Sequence, residues 1–124
     1  MNYKITWIID DDPIPRFILT NRLKHHQLSE TIYEFEHASE LISKLRNKTI
    51  ELPNLVFLDL NMPVLSGWDF LDIVEQESLF GKFEVEVVIV TSSIDQEDRD
   101  KAKTYPCVKH YLTKPVNIDF LISE

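Results

Sequence analysis

Short apolar runs at residues 5–9, 32–35, 55–60, 85–90 and 110–112 alternate with segments whose apolar residues recur every three or four positions. That alternation predicts strand then helix, repeated five times. The best-defined helix carries Ala38, Leu41, Ile42 and Leu45 on one face. Another carries Phe70, Leu71 and Val74 behind Ser66, with Asp69 three residues on as in a capping box. The first helix is predicted to begin near Pro13 or Pro15, where a missing N–H is harmless. It runs past Phe17, Ile18 and Leu23 to about His26 with a broad apolar face. The last helix has Ile118, Leu121 and Ile122 at helical spacing and ends by Glu124, either because the chain is trimmed or because it is short. Residues 96–103 offer only Ala102 to a core, so Ile94 and Tyr105 are expected to pin that helix at its ends. With so little apolar area buried, it belongs with the least stable elements, from which switching segments are drawn.

The runs at 55–60 and 85–90 are apolar on consecutive rather than alternate residues, as in strands covered on both faces. The expected fold is therefore α/β, a doubly wound five-stranded parallel sheet with helices on both faces. In such sheets functional residues gather outside the carboxyl ends of the strands, where strand order reverses. The 124 residues, 44% of them hydrophobic, suit one domain over 1–124. A net charge of -8 disfavours direct contact with nucleic acid or an anionic membrane, which are themselves negative, and points to proteins or cations as partners. A lone Cys107 forms no intramolecular disulfide, and three aspartates cut short the first apolar stretch, so neither a signal peptide nor a membrane span is visible. A cytoplasmic setting is expected. Glycine-rich phosphate cradles are absent, since the chain has only Gly67 and Gly81.

Strand propensity disfavours an aspartate within Leu-Val-Phe-Leu-Asp-Leu, and an ionised carboxylate there needs a cation, hydrogen-bond donors or a reactive role. Asp59 is that residue. Other strand ends add Asp10, Asp11 and Asp12 after the first strand, Thr91 and Ser92 after the fourth, and Lys114 after the fifth. Alone, the acidic run reads as a helix-capping turn and Lys114-Pro115 as a strand stopping before proline. Together they resemble a phosphoryl-transfer site. Carboxylates and a backbone carbonyl make a hard oxygen pocket for Mg²⁺, and a lysine and a threonine can hold the remaining phosphoryl oxygens. Asp59 would be the nucleophile.

These residues, in this order and spacing, resemble the receiver domain of two-component response regulators, with its flavodoxin-like (CheY-like) fold. The motifs are Ile8-Ile9-Asp10-Asp11-Asp12, Asp59-Leu60-Asn61-Met62-Pro63 with Gly67, Val88-Ile89-Val90-Thr91-Ser92 and Tyr111-Leu112-Thr113-Lys114-Pro115. The resemblance implies that Asp59 accepts a phosphoryl group from a phosphohistidine on a sensor histidine kinase or histidine phosphotransfer protein. It implies Mg²⁺ held mainly by Asp11, with Asp10 directly or through water, Asp59, and the Asn61 backbone carbonyl. Thr91 and Lys114 would hold the phosphoryl oxygens. Thr91 and Tyr111 would form the switch that remodels the face around the fourth helix and fifth strand for a downstream protein target. Lys114-Pro115 matches the family's cis peptide.

Residues 105–110 depart from the small pair often found before the aromatic, so the fourth-helix surface is expected to be unusual. A Mg²⁺-dependent phosphohydrolase of the haloacid-dehalogenase type is the alternative, but it wants an acid two residues after the nucleophile, where this chain has Asn61. A receiver-shaped interaction module that is never phosphorylated is a third reading. Trp7 is expected in the core, Trp68 either beside the Asp59 loop, where it would report on the site, or packed in the core, and His25-His26 at a helix end, favoured by the helix dipole or facing solvent. Gly67 is expected to permit a backbone conformation needed before the third helix.

Overall fold

The computed structural model describes residues 3–122. Strands β1 (Tyr3–Ile9), β2 (Ser29–Phe35), β3 (Leu55–Asp59), β4 (Glu86–Thr91) and β5 (Val108–Thr113) alternate with helices α1 (Pro13–His25), α2 (Ala38–Arg46), α3 (Gly67–Gln76), α4 (Gln96–Ala102) and α5 (Asp119–Ile122). Every strand pair is parallel, in the order β2-β1-β3-β4-β5. The chain steps outward from β1 to β2 and then returns to the other side of β1, so the order reverses between β1 and β3. The carboxyl ends of those two strands flank the resulting crevice.

Central strands are covered on both faces, which is why their apolar residues run consecutively. Trp7, Ile9, Val56 and Leu58 pack with Leu41, Leu45, Phe70 and Leu71 on one side of the sheet. On the other, Ile8, Phe57 and Val88 pack with Leu19, Leu23 and Ile118. Each fully buried side chain of this size contributes ~1.5–3 kcal/mol. Trp7 is wholly buried among Phe35 and Phe80, as its sequence context predicts.

Element positions depart from the sequence reading in a few places. β2 begins at Ser29 because Ser29 pairs with Tyr3, where the side chains give no apolar signal. Ser123 and Glu124, the end of the expected last helix, lie outside the described residues. Three helices end without glycine: Gln27, Lys48 and Ser78 take positive φ just beyond α1, α2 and α3, closing the last turns.

The broad apolar face expected of α1 is divided. Leu19 and Leu23 enter the core, whereas Ile14, Phe17 and Ile18 are 68%, 68% and 53% exposed. Ile94 does not pin α4; it is 76% exposed in the preceding loop. Tyr105 does hold the other end, buried, stacked on Trp68 with ring centroids 5.8 Å apart, and donating to Asp72 Oδ1 at 2.6 Å.

Apart from Ala102, which is buried in the core, what otherwise holds α4 is polar. Arg99 lies 4.8 Å from the Tyr111 ring centroid and donates to Thr113 Oγ1, Lys101 lies 4.7 Å from the Trp68 ring, and Ser93 Oγ donates to Asp98. Cation–π contacts that are not fully desolvated are worth only ~0.5–1 kcal/mol each. Amides of α4 should therefore exchange with deuterium at least about tenfold faster than those of α2, a gap of ~1.4 kcal/mol or more in opening free energy. Equal protection in the two helices would refute this.

Candidate functional site

β1 and β3 end side by side, with Ile9 paired to Leu58, so the residues that follow project into one crevice. Asp10 and Asp59 are buried there at 5% and 4% exposure, and Asp11 is half-buried. One carboxylate oxygen from each of the three lies within 4.8 Å of the others. Asp12, the remaining member of the acidic run, turns away and caps α1, accepting from the Ile14 N–H. The helix-capping reading of this run thus holds for Asp12, while Asp10 and Asp11 join Asp59.

β4 and β5 close the far side. Lys114 N donates to Thr91 O at 2.8 Å, which draws the Lys114 side chain over the crevice. Its ammonium sits 2.9 Å from Asp10 Oδ2 and 3.6 Å from Asp59 Oδ2. The Lys114–Pro115 peptide is cis. Thr91 is fully buried, and its hydroxyl oxygen accepts from Asn61 Nδ2 at 3.3 Å and from Ser93 N at 3.1 Å. Asn61 N donates to Asp59 Oδ1 at 3.3 Å. The Asn61 carbonyl accepts no hydrogen bond from the described residues.

The electrostatics follow from this crowding. Burial, and then the neighbouring Asp10 charge, push the Asp59 carboxyl up to about 6, against the pull of Lys114 and the Asn61 N–H. Burial pulls the Lys114 ammonium down, but the Asp10 hydrogen bond and the charges of Asp10 and Asp59 outweigh it and raise it above the ordinary lysine range. Three carboxylates against one ammonium leave an excess of negative charge. Those carboxylates and the free Asn61 carbonyl make an all-oxygen donor set, which fits a hard divalent cation such as Mg²⁺.

Tyr111, on the edge strand β5, is half-buried, and its hydroxyl donates to Ser93 O at 3.3 Å. Ser93 therefore touches both Thr91 and Tyr111. Arg99, over the Tyr111 ring, and Arg16, bonded to the Asp10 carbonyl, were not legible as part of this region. Neither stands in a motif; a signal existed only for Arg16, one helical turn after the acidic run. Trp68 packs against the core and toward α4, the second of its two expected placements, rather than into the crevice. Val64 was also missed: it is 96% exposed with φ 68° in the loop after Asp59, a strained backbone for a β-branched residue.

The chain matches the family model described as the response regulator receiver domain over residues 6–124. It is 31% identical over 119 residues to the DNA-binding transcriptional regulator NtrC of Klebsiella pneumoniae, covering 96% of this chain and 23% of that protein. It is 28% identical over 117 residues to the sensor histidine kinase CheAY of Helicobacter pylori, covering 94% of this chain and 14% of that one. The chain thus spans less than a quarter of the length of these curated relatives. Among solved structures, a two component response regulator from Cytophaga hutchinsonii superposes with a TM-score of 0.85 at 26% identity, covering 100% of both chains.

Proposed function

The chain belongs to the response regulator receiver domain family, a regulatory signalling domain rather than a classical enzyme, and from that premise we propose that it is a phospho-accepting switch of a two-component phosphorelay. The observation that carries this reading is the buried Asp59 carboxylate, flanked at matched strand ends by Asp10, Asp11, Thr91 and Lys114. In the proposed step an Asp59 oxygen attacks the phosphorus of a phosphohistidine on a histidine kinase or phosphotransfer protein. The P–N bond breaks, its electron pair returns to the imidazole nitrogen, and an acyl phosphate remains on Asp59.

Asp10, Asp11, Asp59 and the Asn61 carbonyl would hold Mg²⁺, which when bound neutralises phosphoryl oxygens and the crowded carboxylates. Lys114 would neutralise a further phosphoryl oxygen from the opposite side. Thr91 would give up its bonds from Asn61 and Ser93 to reach the phosphoryl group, and that exchange moves Ser93, to which the Tyr111 hydroxyl is bonded. A downstream protein target would read the resulting change around α4 and β5. The exposed Ile14, Phe17 and Ile18, which open α1 beside the crevice, supply the apolar surface that a donor protein needs to bring its histidine to a buried carboxylate. Among the described residues no helix is long and apolar enough to cross a membrane.

The test is intact-mass measurement after incubation with Mg²⁺ and acetyl phosphate. One added phosphoryl group is expected, absent when Mg²⁺ is chelated. A protein that binds Mg²⁺ yet gains no mass would overturn the proposal.

A further inference from the structure

Asp11 is the one member of the acidic cluster whose carboxylate makes no hydrogen bond or ion pair among the described residues. Asp10 is held by Asp12 N on Oδ1 at 2.9 Å and by Lys114 Nζ on Oδ2 at 2.9 Å. Asp59 is held by Asn61 N and by Lys114. The Asp11 carboxylate is placed by its backbone alone. The peptide that carries it is the Asp10–Asp11 unit, whose carbonyl belongs to Asp10 and whose N–H belongs to Asp11. That unit lies one residue past Ile9, the last β1 position paired to both neighbours. Among the described residues no strand supplies a donor to its carbonyl. Arg16 does, from the first turn of α1: Nη1 donates to Asp10 O at 2.6 Å, while Nε donates to Glu34 Oε1 on β2 at 3.3 Å.

The Arg16 side chain is only 15% exposed, and its planar guanidinium is held at two edges, by a carbonyl and a carboxylate. Because the peptide unit is rigid, fixing the direction of its carbonyl sets ψ of Asp10 and φ of Asp11 together. That orientation sets the direction in which the Asp11 side chain leaves the backbone, toward carboxylates of Asp10 and Asp59 that lie within 4.8 Å of its own.

We propose that Arg16 is a positioning residue for divalent-cation binding: by clamping the Asp10 carbonyl against β2 it orients the Asp10–Asp11 peptide, and with it the Asp11 carboxylate. The proposal rests on the metal-dependent reading of the site given above. Its sign is distinctive. A role limited to charge would oppose cation binding, since a guanidinium near the pocket repels Mg²⁺, so its removal would tighten binding. A positioning role predicts that removal weakens it, and loss of groups that orient metal ligands commonly costs ~10–100-fold in affinity.

The experiment is calorimetric titration of Mg²⁺ into the unphosphorylated protein at low salt, for wild type, Arg16→Met, Arg16→Lys and Glu34→Gln, with a melting curve of each. Arg16→Met should raise the Mg²⁺ dissociation constant about tenfold or more. Arg16→Lys, which keeps the charge but not the two-edged fork, should fall between it and wild type. Glu34→Gln keeps the Asp10 contact and should stay near wild type. A folded Arg16→Met that binds Mg²⁺ as tightly as wild type, or more tightly, overturns the assignment. If that variant does not fold, an unchanged constant for Arg16→Lys overturns it equally. A loss in Glu34→Gln as large as that in Arg16→Met would overturn the role given to the Asp10 contact. Wild-type protein that binds no Mg²⁺ would fail the metal-dependent reading itself, and this inference with it.

Discussion

Asp59→Asn should take no phosphoryl group from acetyl phosphate and, without Mg²⁺ near about pH 8, should melt higher than wild type by roughly 3–10 °C. Asparagine keeps the oxygen that accepts from Asn61 N–H and removes a negative charge from a pocket where three carboxylates face one ammonium. Removing one partner of a buried ion pair ordinarily destabilises by leaving the other uncompensated. Here it does not, because Lys114 retains its shorter contact, 2.9 Å to Asp10. The ionised Asp59 is instead a charge whose neighbours are mostly of its own sign. Burial and the Asp10 charge push its carboxyl up to about 6 from the ordinary 3.8, so the native state disfavours the ionised form. Each pH unit corresponds to ~1.4 kcal/mol, and discounting for solvent screening leaves ~1–2 kcal/mol.

The pH dependence follows with a definite sign. Between 3.8 and about 6 the native state binds more protons at Asp59 than the unfolded chain does, so wild-type stability falls as pH rises through that window. The advantage of Asp59→Asn should be small near about pH 4, grow through the window and level off above it. Added Mg²⁺ should narrow it from the other side, by stabilising wild type through mass action. Differential scanning calorimetry of both proteins at several pH values reads all three outcomes. An Asp59→Asn protein that melts lower than wild type at alkaline pH would show that Asp59 is a net stabiliser, contrary to this account.

The alternation of apolar runs made the sheet legible because burial on both faces leaves consecutive apolar residues, a pattern few other arrangements need. Asp10, Asp11, Asp59, Thr91 and Lys114 were placeable because topology alone brings the carboxyl ends of parallel strands to one side. Contacts made by long polar side chains across elements were not. Arg16, Arg99 and Lys101 sit on helix faces where a charged residue ordinarily faces water; apart from the closeness of Arg16 to the acidic run, nothing in spacing distinguishes one that folds back onto a carbonyl or an aromatic ring. The error at Ile94 has the same origin in reverse. Apolar character suggests burial, but a large share of any protein surface is apolar, and a loop beside a site can leave such a residue outside.

Gly67 shows how a correct residue can carry a mistaken reason. Its sequence context suggested a torsional need, yet among the described residues positive-φ glycine occurs only at Gly81. What Gly67 provides is the absence of a side chain. A Cβ built there would lie 2.5 Å from the Asp59 carbonyl oxygen, 2.9 Å from Leu60 Cα and 3.1 Å from Leu60 Cδ2. Gly67 N donates to Leu60 O at 3.0 Å, so the start of α3 is tied to the very backbone it would strike. That backbone has little room to give way, because it ends a strand paired to β1 as far as Leu58 and to β4 as far as Asp59.

Gly67→Ala should therefore cost ~2–3 kcal/mol, within the usual range for overpacking, and lower the melting temperature by roughly 6–12 °C. The gain in helix propensity offsets little, since Gly67 is the first residue of α3 rather than an interior one. Displacing the Asp59 carbonyl also moves its carboxylate, and misplacing a reacting group by ~1 Å can cost ~100-fold in rate. Phosphorylation by acetyl phosphate should thus slow by more than about tenfold. Gly81→Ala is the control that separates the two effects. Gly81 has φ 57° but nothing within 4 Å of an added Cβ, so alanine there strains only a turn remote from Asp59. It should lower the melting temperature by a few degrees through ~1–2 kcal/mol of left-handed strain and leave the phosphorylation rate unchanged. Should Gly67→Ala keep both the stability and the rate of wild type, the contact between α3 and the end of β3 would have to be yielding, and Asp59 would not owe its position to that packing.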